Sequence, residues 1–503
     1  MTDDAIGEAG PEHAADHLRH HRGDEPPPEE PPGPRSERDP AGAGNGRLLS
    51  ATMIGVASGA ILVPLNSTML AVALPSVMSA FTVPPEAAAT LVTLYLGAVA
   101  IAVPVGGSIG DRFGHRRTFL AGVAGFGVAS VIAALAPAFG VLVVARILQA
   151  VSGALVSTTS VALIRAGAPA SRRGAAFGLF DMLVSTSAAL GPVVGGVIVG
   201  AFDWRAMFLL AAPIAVIAVL AVGLRPDPMA TGDERSRDER AGNDRAAATP
   251  VRPIDGRGLA VLAVLLVAFL LALRGGRDGV IDAIAAIAVP LILIAFVRLE
   301  LRTAHPAVDP RLFASRTFAS AVAGVFLATI VLHATLVLVP LLVEVLQGGS
   351  PEATGVVLLG ISALGAVAAP IGGRLSDRIG RRGPALAGSV AALIGLALLW
   401  QVAGSASLIV LGGLLALVGA GMGLAGSPRQ AAALETVEAS RVGMAAGTYY
   451  TGRYLGGVVG ASVAGAVLGG AVTASGVTLG FGLLTAAAVA LVVASAGLAG
   501  RRA

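Results

Sequence analysis

The 503-residue chain contains no cysteine, and its 35 basic residues are all arginine, with no lysine among them. Without cysteine there is neither a disulfide framework nor a thiolate metal site, which excludes a stapled extracellular scaffold and zinc-finger chemistry. Charge is scarce as well: 13% of residues are charged, against about 25% in soluble domains. What the chain has in abundance is hydrophobic residues (55%) and glycine (67 residues), with a mean hydropathy of +0.80. That composition suits apolar segments packed through small residues, and most of it cannot face water. A sequence pI near 10.2 would suggest a nucleic-acid partner in a soluble protein, so the placement of the arginines decides what it means.

Residues 1–48 hold 11 acids, 5 Arg, 4 His and 8 Pro, for a net charge of −6. They read as a disordered acidic tail, cytoplasmic because they lack the basic start and apolar stretch of a secretory signal. His13, His17, His20 and His21 within it could hold a metal, but the simpler reading is a solvated tail and no metal site.

A bilayer core ~30 Å thick needs about 20 apolar residues of helix. Fourteen segments meet or approach that length, giving an expected all-α membrane protein of two pseudo-symmetric six-helix bundles plus two inserted helices. The expected divisions are a bundle over 49–224, a polar linker over 225–257, an inserted pair over 258–297, a connection over 298–317 and a second bundle over 318–503. With the N-terminus inside, 25 arginines fall in the even-numbered connections and the C-terminus, and only Arg205, Arg274 and Arg277 fall outside. One missed helix would reverse every later loop, so this asymmetry supports both the count and cytoplasmic termini. The high pI therefore reports orientation in a lipid bilayer and gives no support to nucleic-acid binding. Trp204 and Trp400, the only tryptophans, fall at expected outer ends, where indole rings favour the interface.

Residues 107–117 read GSIGDRFGHRR and residues 373–382 read GRLSDRIGRR. Both fit G-x-[IL]-x-D-R-x-G-x-R after an apolar helix, as expected of a duplicated six-helix block. Glycine there allows a tight turn, and Asp111 and Asp377 are placed to accept hydrogen bonds from a helix N-terminus or a neighbouring arginine. Plain topological anchoring would need the arginines but not the Gly and Asp spacing.

With these loops the chain resembles the major facilitator superfamily, specifically its 14-helix drug:proton antiporter branch. LNSTMLAVALP at 65–75 is similar to the first-helix motif, ARILQAVSGA at 145–154 to the fourth, and ALGPVVGG at 189–196 to the fifth-helix antiporter motif. DWRAMF at 203–208 resembles the entrance to helix 6, and YYTGRYLGGVVG at 449–460 the helix 13 pattern. The resemblance implies that Gly107, Asp111, Arg112, Gly114 and Arg117, with Gly373, Asp377, Arg378 and Gly380, form a conformational latch. It implies that Arg146 takes part in proton coupling, and that Gly191, Pro192, Gly195 and Gly196 bend helix 5 and pack it on the opposite half. The chain departs from the branch at Asn66, where the branch usually carries Asp.

Ionisable residues at bilayer depth are expensive and are functional candidates by default. Besides Arg146 these are Asp181, which could carry a proton or pair with a cationic substrate, Glu344, His333, and Arg453 with Tyr450 and Tyr449 at helical spacing. Each has a plainer reading as a structural or solvated residue. Asp278 and Asp282 lie beside Arg274 and Arg277, where mutual salt bridging is the simpler role. No Walker loop, nucleophile elbow or dinucleotide fingerprint is present, so no enzyme activity and no cofactor are expected, and the proton-motive force is the expected energy source. The expectation is a bacterial inner-membrane exporter of amphipathic small molecules in exchange for protons, working as a monomer. The alternatives are an exporter or facilitator of one metabolite or natural product with weak coupling, or a membrane sensor without flux.

The absence of cysteine makes orientation directly measurable. A membrane-impermeant maleimide should label Ser405→Cys in intact cells and Ser236→Cys only after permeabilisation; the reverse pattern would invert the assigned topology.

Overall fold

The computed structural model describes residues 51–167, 173–224, 255–273, 279–303, 306, 308–402, 404–437, 442–469 and 471–499. The tail over 1–48, nearly all of the linker and the Arg274, Arg277 and Asp278 turn lie outside them. The described residues form fourteen helices, one of them broken, a short 3-10 turn over Pro310–Ala314, and no strand. They are α1 (Ala51–Phe81), α2 (Pro85–Phe113), α3 (His115–Ala134), α4 (Phe139–Gly167), α5 (Arg173–Ala201) and α6 (Trp204–Leu209 and Ala211–Gly223). Then follow α7 (Gly256–Leu273), α8 (Gly279–Arg302), α9 (Arg316–Pro340), α10 (Pro351–Ile379), α11 (Arg382–Val402), α12 (Leu408–Glu435), α13 (Val442–Leu468) and α14 (Ala474–Ala496). Ten are long and apolar enough to cross a membrane. Large apolar side chains are exposed on the outer helix faces; on α8, Val280, Ile284, Ile287 and Leu291 recur at helical spacing and are each more than half exposed, as a lipid-facing stripe requires.

Helices α1–α6 and α9–α14 repeat one packing scheme. In the first bundle α1 packs on α5 and α6, α2 on α4, and α3 on α4 and α6; in the second α9 packs on α13 and α14, α10 on α12, and α11 on α12 and α14. The duplication extends over the whole of α2 and α10 in one register shifted by 266 positions, placing Pro85 on Pro351, Glu86 on Glu352, Gly107 on Gly373 and Gly114 on Gly380. The loop motif is mostly helix: α2 runs to Phe113 and α10 to Ile379, four and six residues past the apolar stretches. Backbone hydrogen bonding continues into the polar turns that hydropathy leaves out. Only glycine breaks each helix, Gly114 at φ 90° and Gly380 at φ 92°, a backbone conformation that side chains with a Cβ disfavour. Their N–H groups donate to the carbonyls of Gly110 and Ser376.

Between bundles, α2 packs on α13 and α5 on α10, two seams that the pseudo-two-fold exchanges. The close approaches are Gly196 and Gly200 against Pro351 and Glu352, Gly355 against the Pro192 carbonyl, Gly465 against Glu86 and Ala89, and Gly457 against Leu96. Ser462 Oγ also donates to Thr93 Oγ1 at 3.2 Å. All of these lie on the side remote from the Gly114 and Gly380 turns. Toward the turns, a Cβ on Gly107 or Gly447 would meet nothing within 4 Å. The seams are thus closed on the far side, and α2 and α13 diverge on the motif side. The inserted helix α7 pairs with α8 and touches both α2 and α13, with Leu266 buried in the main core.

Two expectations are corrected here. Trp204 is only 1% exposed, packed against Phe81 and Phe208 with Arg205 over its ring; it is a core residue because two aromatic rings and a guanidinium enclose it, whereas Trp400, 47% exposed, has the accessibility of an interfacial ring. Arg429, counted among loop arginines, lies inside α12 and is 2% exposed.

Helix contact depends on hydrogen-only side chains. A Cβ on Gly419 would overlap the Ile361 backbone of α10, while one on Gly413 would meet nothing within 4 Å. Gly419→Val should cost about 1–3 kcal/mol by overpacking and lower the thermal aggregation midpoint of detergent-purified protein, and Gly413→Val should leave it unchanged.

Candidate functional site

Arg146 sits in the second turn of α4 and is 1% exposed. Its Nη1 donates to Asn66 Oδ1 at 2.7 Å and to Gln149 Oε1 at 3.0 Å. Gln149 Nε2 donates to Ser130 Oγ at 2.7 Å, and Ser130 Oγ to the Phe126 carbonyl at 2.7 Å. The guanidinium carbon lies 4.1 Å from the centroid of the Tyr95 ring, close enough for a cation–π contact. Four helices, α1 to α4, are tied to one cation. Among the described residues no acid takes part, and the charge is held by neutral dipoles and a ring face. Gln149 belongs to the same quoted motif as Arg146, three residues on and so on the same helix face. Sequence reasoning passed over it, and over Ser130 and Tyr95, which arrive from other helices.

Arg429 makes a second buried centre. Its Nε donates to the Ala425 carbonyl at 3.0 Å and its Nη1 to the Gly324 carbonyl at 2.7 Å, and a Cβ on Gly324 would strike the arginine stem. Gly324 on α9 therefore makes room for a cation from α12.

Arg453 differs from both. It is exposed, and among the described residues nothing hydrogen-bonds or ion-pairs with its guanidinium. Its position on α13 shows where it faces. Gly452, Gly456 and Gly460 pack on Val322, Phe326 and Ile330 of α9, whereas Gly457, Ser462 and Gly465 face α2. Arg453 lies between these two faces, one turn from Gly457 toward the motif side, where α2 and α13 diverge. Its carbonyl accepts from Thr329 Oγ1 at 2.8 Å. Tyr449 and Tyr450 meet edge to face at 6.0 Å rather than stacking on Arg453, and Tyr450 Oη accepts from Gln430 Nε2 at 3.2 Å. His333 lies beside Gly457 and Leu96, its Nδ1 3.0 Å from the Thr329 carbonyl.

Glu344 lies in the wide turn Leu341–Leu346 that continues α9 beyond Pro340, where proline supplies no N–H to the regular ladder. It faces Thr354 and Glu352, at the far end of the α5–α10 seam, and its Oε1 is buried without a hydrogen bond among the described residues.

The α5 segment packs on two sides. Gly191 and Gly195 lie against Thr68, Leu65 and Met69 of α1, within the same bundle, while Pro192 and Gly196 lie against Gly355 and Pro351 of α10 in the opposite one. Spacings of four residues build one stripe for each neighbour.

At the second turn, Arg381 Nη1 donates to Asp377 Oδ1 at 2.6 Å and Ser376 Oγ at 2.8 Å, and its guanidinium grips Glu435 at the end of α12 bidentately. The two carboxylates, Glu435 foremost, raise the Arg381 pKa above its ordinary value. Both acids are mostly exposed, so the pair is worth about 0–1 kcal/mol. Neither Arg381 nor Glu435 stood out in the sequence. Arg112 lies over the Phe113 ring at 5.5 Å, and Arg117 and Arg378 are exposed. Arg116 donates to the carbonyls of Val222 and Gly223 at the end of α6, a favourable place for a cation. Gly107 has no neighbour within 4 Å of a built Cβ, and Gly373 has only Ser427. The side chains of Asp111 and Asp181 lie outside the described residues.

Asn66→Leu removes the 2.7 Å acceptor from Arg146 and leaves a buried N–H unpaired, a loss of about 1–3 kcal/mol. The thermal midpoint should fall for Asn66→Leu and hold for Asn66→Asp, which keeps an acceptor.

The chain matches the sequence profile of the Major Facilitator Superfamily over residues 56–461 and 322–502. It is 31% identical over 420 residues to YvkA of Bacillus subtilis (strain 168), an uncharacterised MFS-type transporter, covering 81% of this chain and 88% of that protein. It is 30% identical over 412 residues to the multidrug resistance protein Stp of Mycobacterium tuberculosis, covering 81% and 74%. Among solved structures it is similar to a bacterial homologue of the human lysosomal transporter Spinster, in an inward-facing and unoccupied conformation, with a TM-score of 0.64 at 16% identity, covering 90% of this chain and 97% of that one.

Proposed function

The chain belongs to the Major Facilitator Superfamily, and from that premise we propose that it exports amphipathic small molecules in exchange for protons, as a member of the 14-helix drug:proton antiporter branch. It is a multi-pass membrane transporter. In this reading the motif side is cytoplasmic, both termini lie there, and the protein works as a monomer in the bacterial inner membrane. The proton-motive force drives it, with no bound cofactor. The observation that carries the reading is the pair of pseudo-equivalent seams, closed on the far side while α2 and α13 diverge on the motif side. Rocking the two bundles about these seams would close the motif side and open the far one. The multidrug-resistance relative at 30% identity supports efflux as the direction.

Asn66 constrains the coupling. An amide does not titrate between carboxylate and carboxylic acid, so the Arg146 network positions helices α1 to α4 while the proton is carried elsewhere. Asp181 and Glu344 are the acids for that role. A proton shifts the two-state equilibrium only by its differential affinity for the states; Glu344, at a seam that must part on the far side, changes its surroundings between them. The same amide favours the second reading, an exporter of one metabolite or natural product with weak coupling.

Flux into proteoliposomes under an imposed pH gradient tests the proposal: uptake of amphipathic dyes should collapse with an ionophore, and gradient-independent flux would leave only facilitation. Asp181→Asn should slow gradient-driven export by about tenfold, within the usual range for one coupling interaction, and leave substrate counterflow intact. Full retention of coupling would remove Asp181 from the mechanism.

A further inference from the structure

Resting on the export reading, we propose that the interior of the second bundle holds an anion site built on Arg453, and that the preferred substrates are aromatic carboxylates or phenolates. Of the arginines in the described helices, Arg146, Arg429 and Arg453 stand away from the helix ends and loops, and two of these three are committed. Arg146 is held through Nη1 by Asn66 and Gln149 and lies over the Tyr95 ring, with its Nε buried and unpaired among the described residues, and Arg429 is held by the Ala425 and Gly324 carbonyls. Arg453 alone of the three has no described hydrogen-bond or ionic partner for its guanidinium, and it faces the space between α9 and α2.

The described groups around it carry no negative charge. They are His333 on α9, Tyr449, Tyr450 and Tyr454 on α13 itself, Gln430 on α12 behind Tyr450, and the apolar Leu96 on α2. The described seam acids Glu86, Glu344 and Glu352 stand at the far end of the helices. Asp181 belongs to α5, which packs on α1 and α10. A cation at bilayer depth is stabilised by an opposite charge brought to it, and a like charge is repelled. A guanidinium presents two parallel N–H donors to a carboxylate. Tyr450 and Tyr454, partly exposed beside it, offer ring surface to an aromatic body, and the neutral Gln430–Tyr450 pair adds polar contacts without charge. The aromatic neighbours favour a flat solute over a lipid headgroup.

Binding of two dyes with one xanthene core tests this on the full chain in nanodiscs of zwitterionic lipid. Fluorescein, an anion at neutral pH, should bind roughly tenfold more tightly than a cationic rhodamine ester, the scale of one charge-assisted hydrogen bond. Free salicylate should displace it. Arg453→Gln should equalise the two dyes, and Arg453→Lys, which keeps the charge, should preserve their order with a smaller gap. Equal or tighter binding of the rhodamine ester, no fluorescein binding, or an unchanged preference in monodisperse Arg453→Gln protein would overturn the proposal. Displacement of fluorescein by added phosphatidylglycerol but not by salicylate would reassign the site to lipid and overturn it too. Proton-driven flux of the rhodamine ester with no anion preference would sink the anion site and keep the export reading. An anion preference with no flux of either dye would do the opposite.

Discussion

Hydrocarbon gives helices no hydrophobic reason to associate, because lipid tails are as apolar as leucine, so contact has to come from how closely backbones approach. In this chain that approach is made by glycine. Gly360, Gly365 and Gly372 of α10 lie against Gly412, Gly419 and Leu424 of α12, and Gly452, Gly456 and Gly460 of α13 lie against α9. The same device, at Gly196, Gly200 and Gly465, forms the seams between the bundles. Both the rigid parts and the surfaces along which they would move therefore rest on one constraint, the absence of a Cβ at carbonyls of neighbouring helices. A seam made from backbone contact and few hydrogen bonds can part and reform at little cost, whereas the Arg146 network, four helices around one cation, holds its bundle together.

The buried arginines divide by what satisfies them. Side-chain amides and a ring hold Arg146, and backbone carbonyls hold Arg429. None of these partners is an acid or base that titrates near neutral pH. The exposed Arg453, in contrast, carries a charge into the space where a solute would pass.

Much of the architecture was legible beforehand. The fourteen apolar stretches recur as helices with shifted ends, and the two copies of the loop motif occupy equivalent turns with glycine at positive φ in each. The register shared by α2 and α10 from Pro85 and Pro351 onward was also in the sequence, but apolar filler between the matching ends hides a repeat whose identical positions are few. Of the four residues around Arg146 only Asn66 stood out beforehand, through its motif; Gln149 shares a helix face with Arg146 but looks like any polar helix residue, while Ser130 and Tyr95 come from 16 and 51 positions away, distances that no local pattern spans. Trp204 and Arg429 were placed wrongly because hydropathy assigns a residue by its neighbours in the chain, and both are governed by neighbours in space.

Apolar length alone sets the helices, and arginine placement gives them an expected orientation, because both depend on the energy of each segment with its own solvent. The partners of each helix follow from the packed fold instead. It showed which glycine faces which carbonyl, that Arg381 reaches Glu435 at the end of α12, and that Arg453 has no described partner while Arg146 and Arg429 are hydrogen-bonded to neutral groups. Those outcomes depend on angles and depths at which helices cross, and a pairwise contact between distant segments leaves no trace in the composition of either.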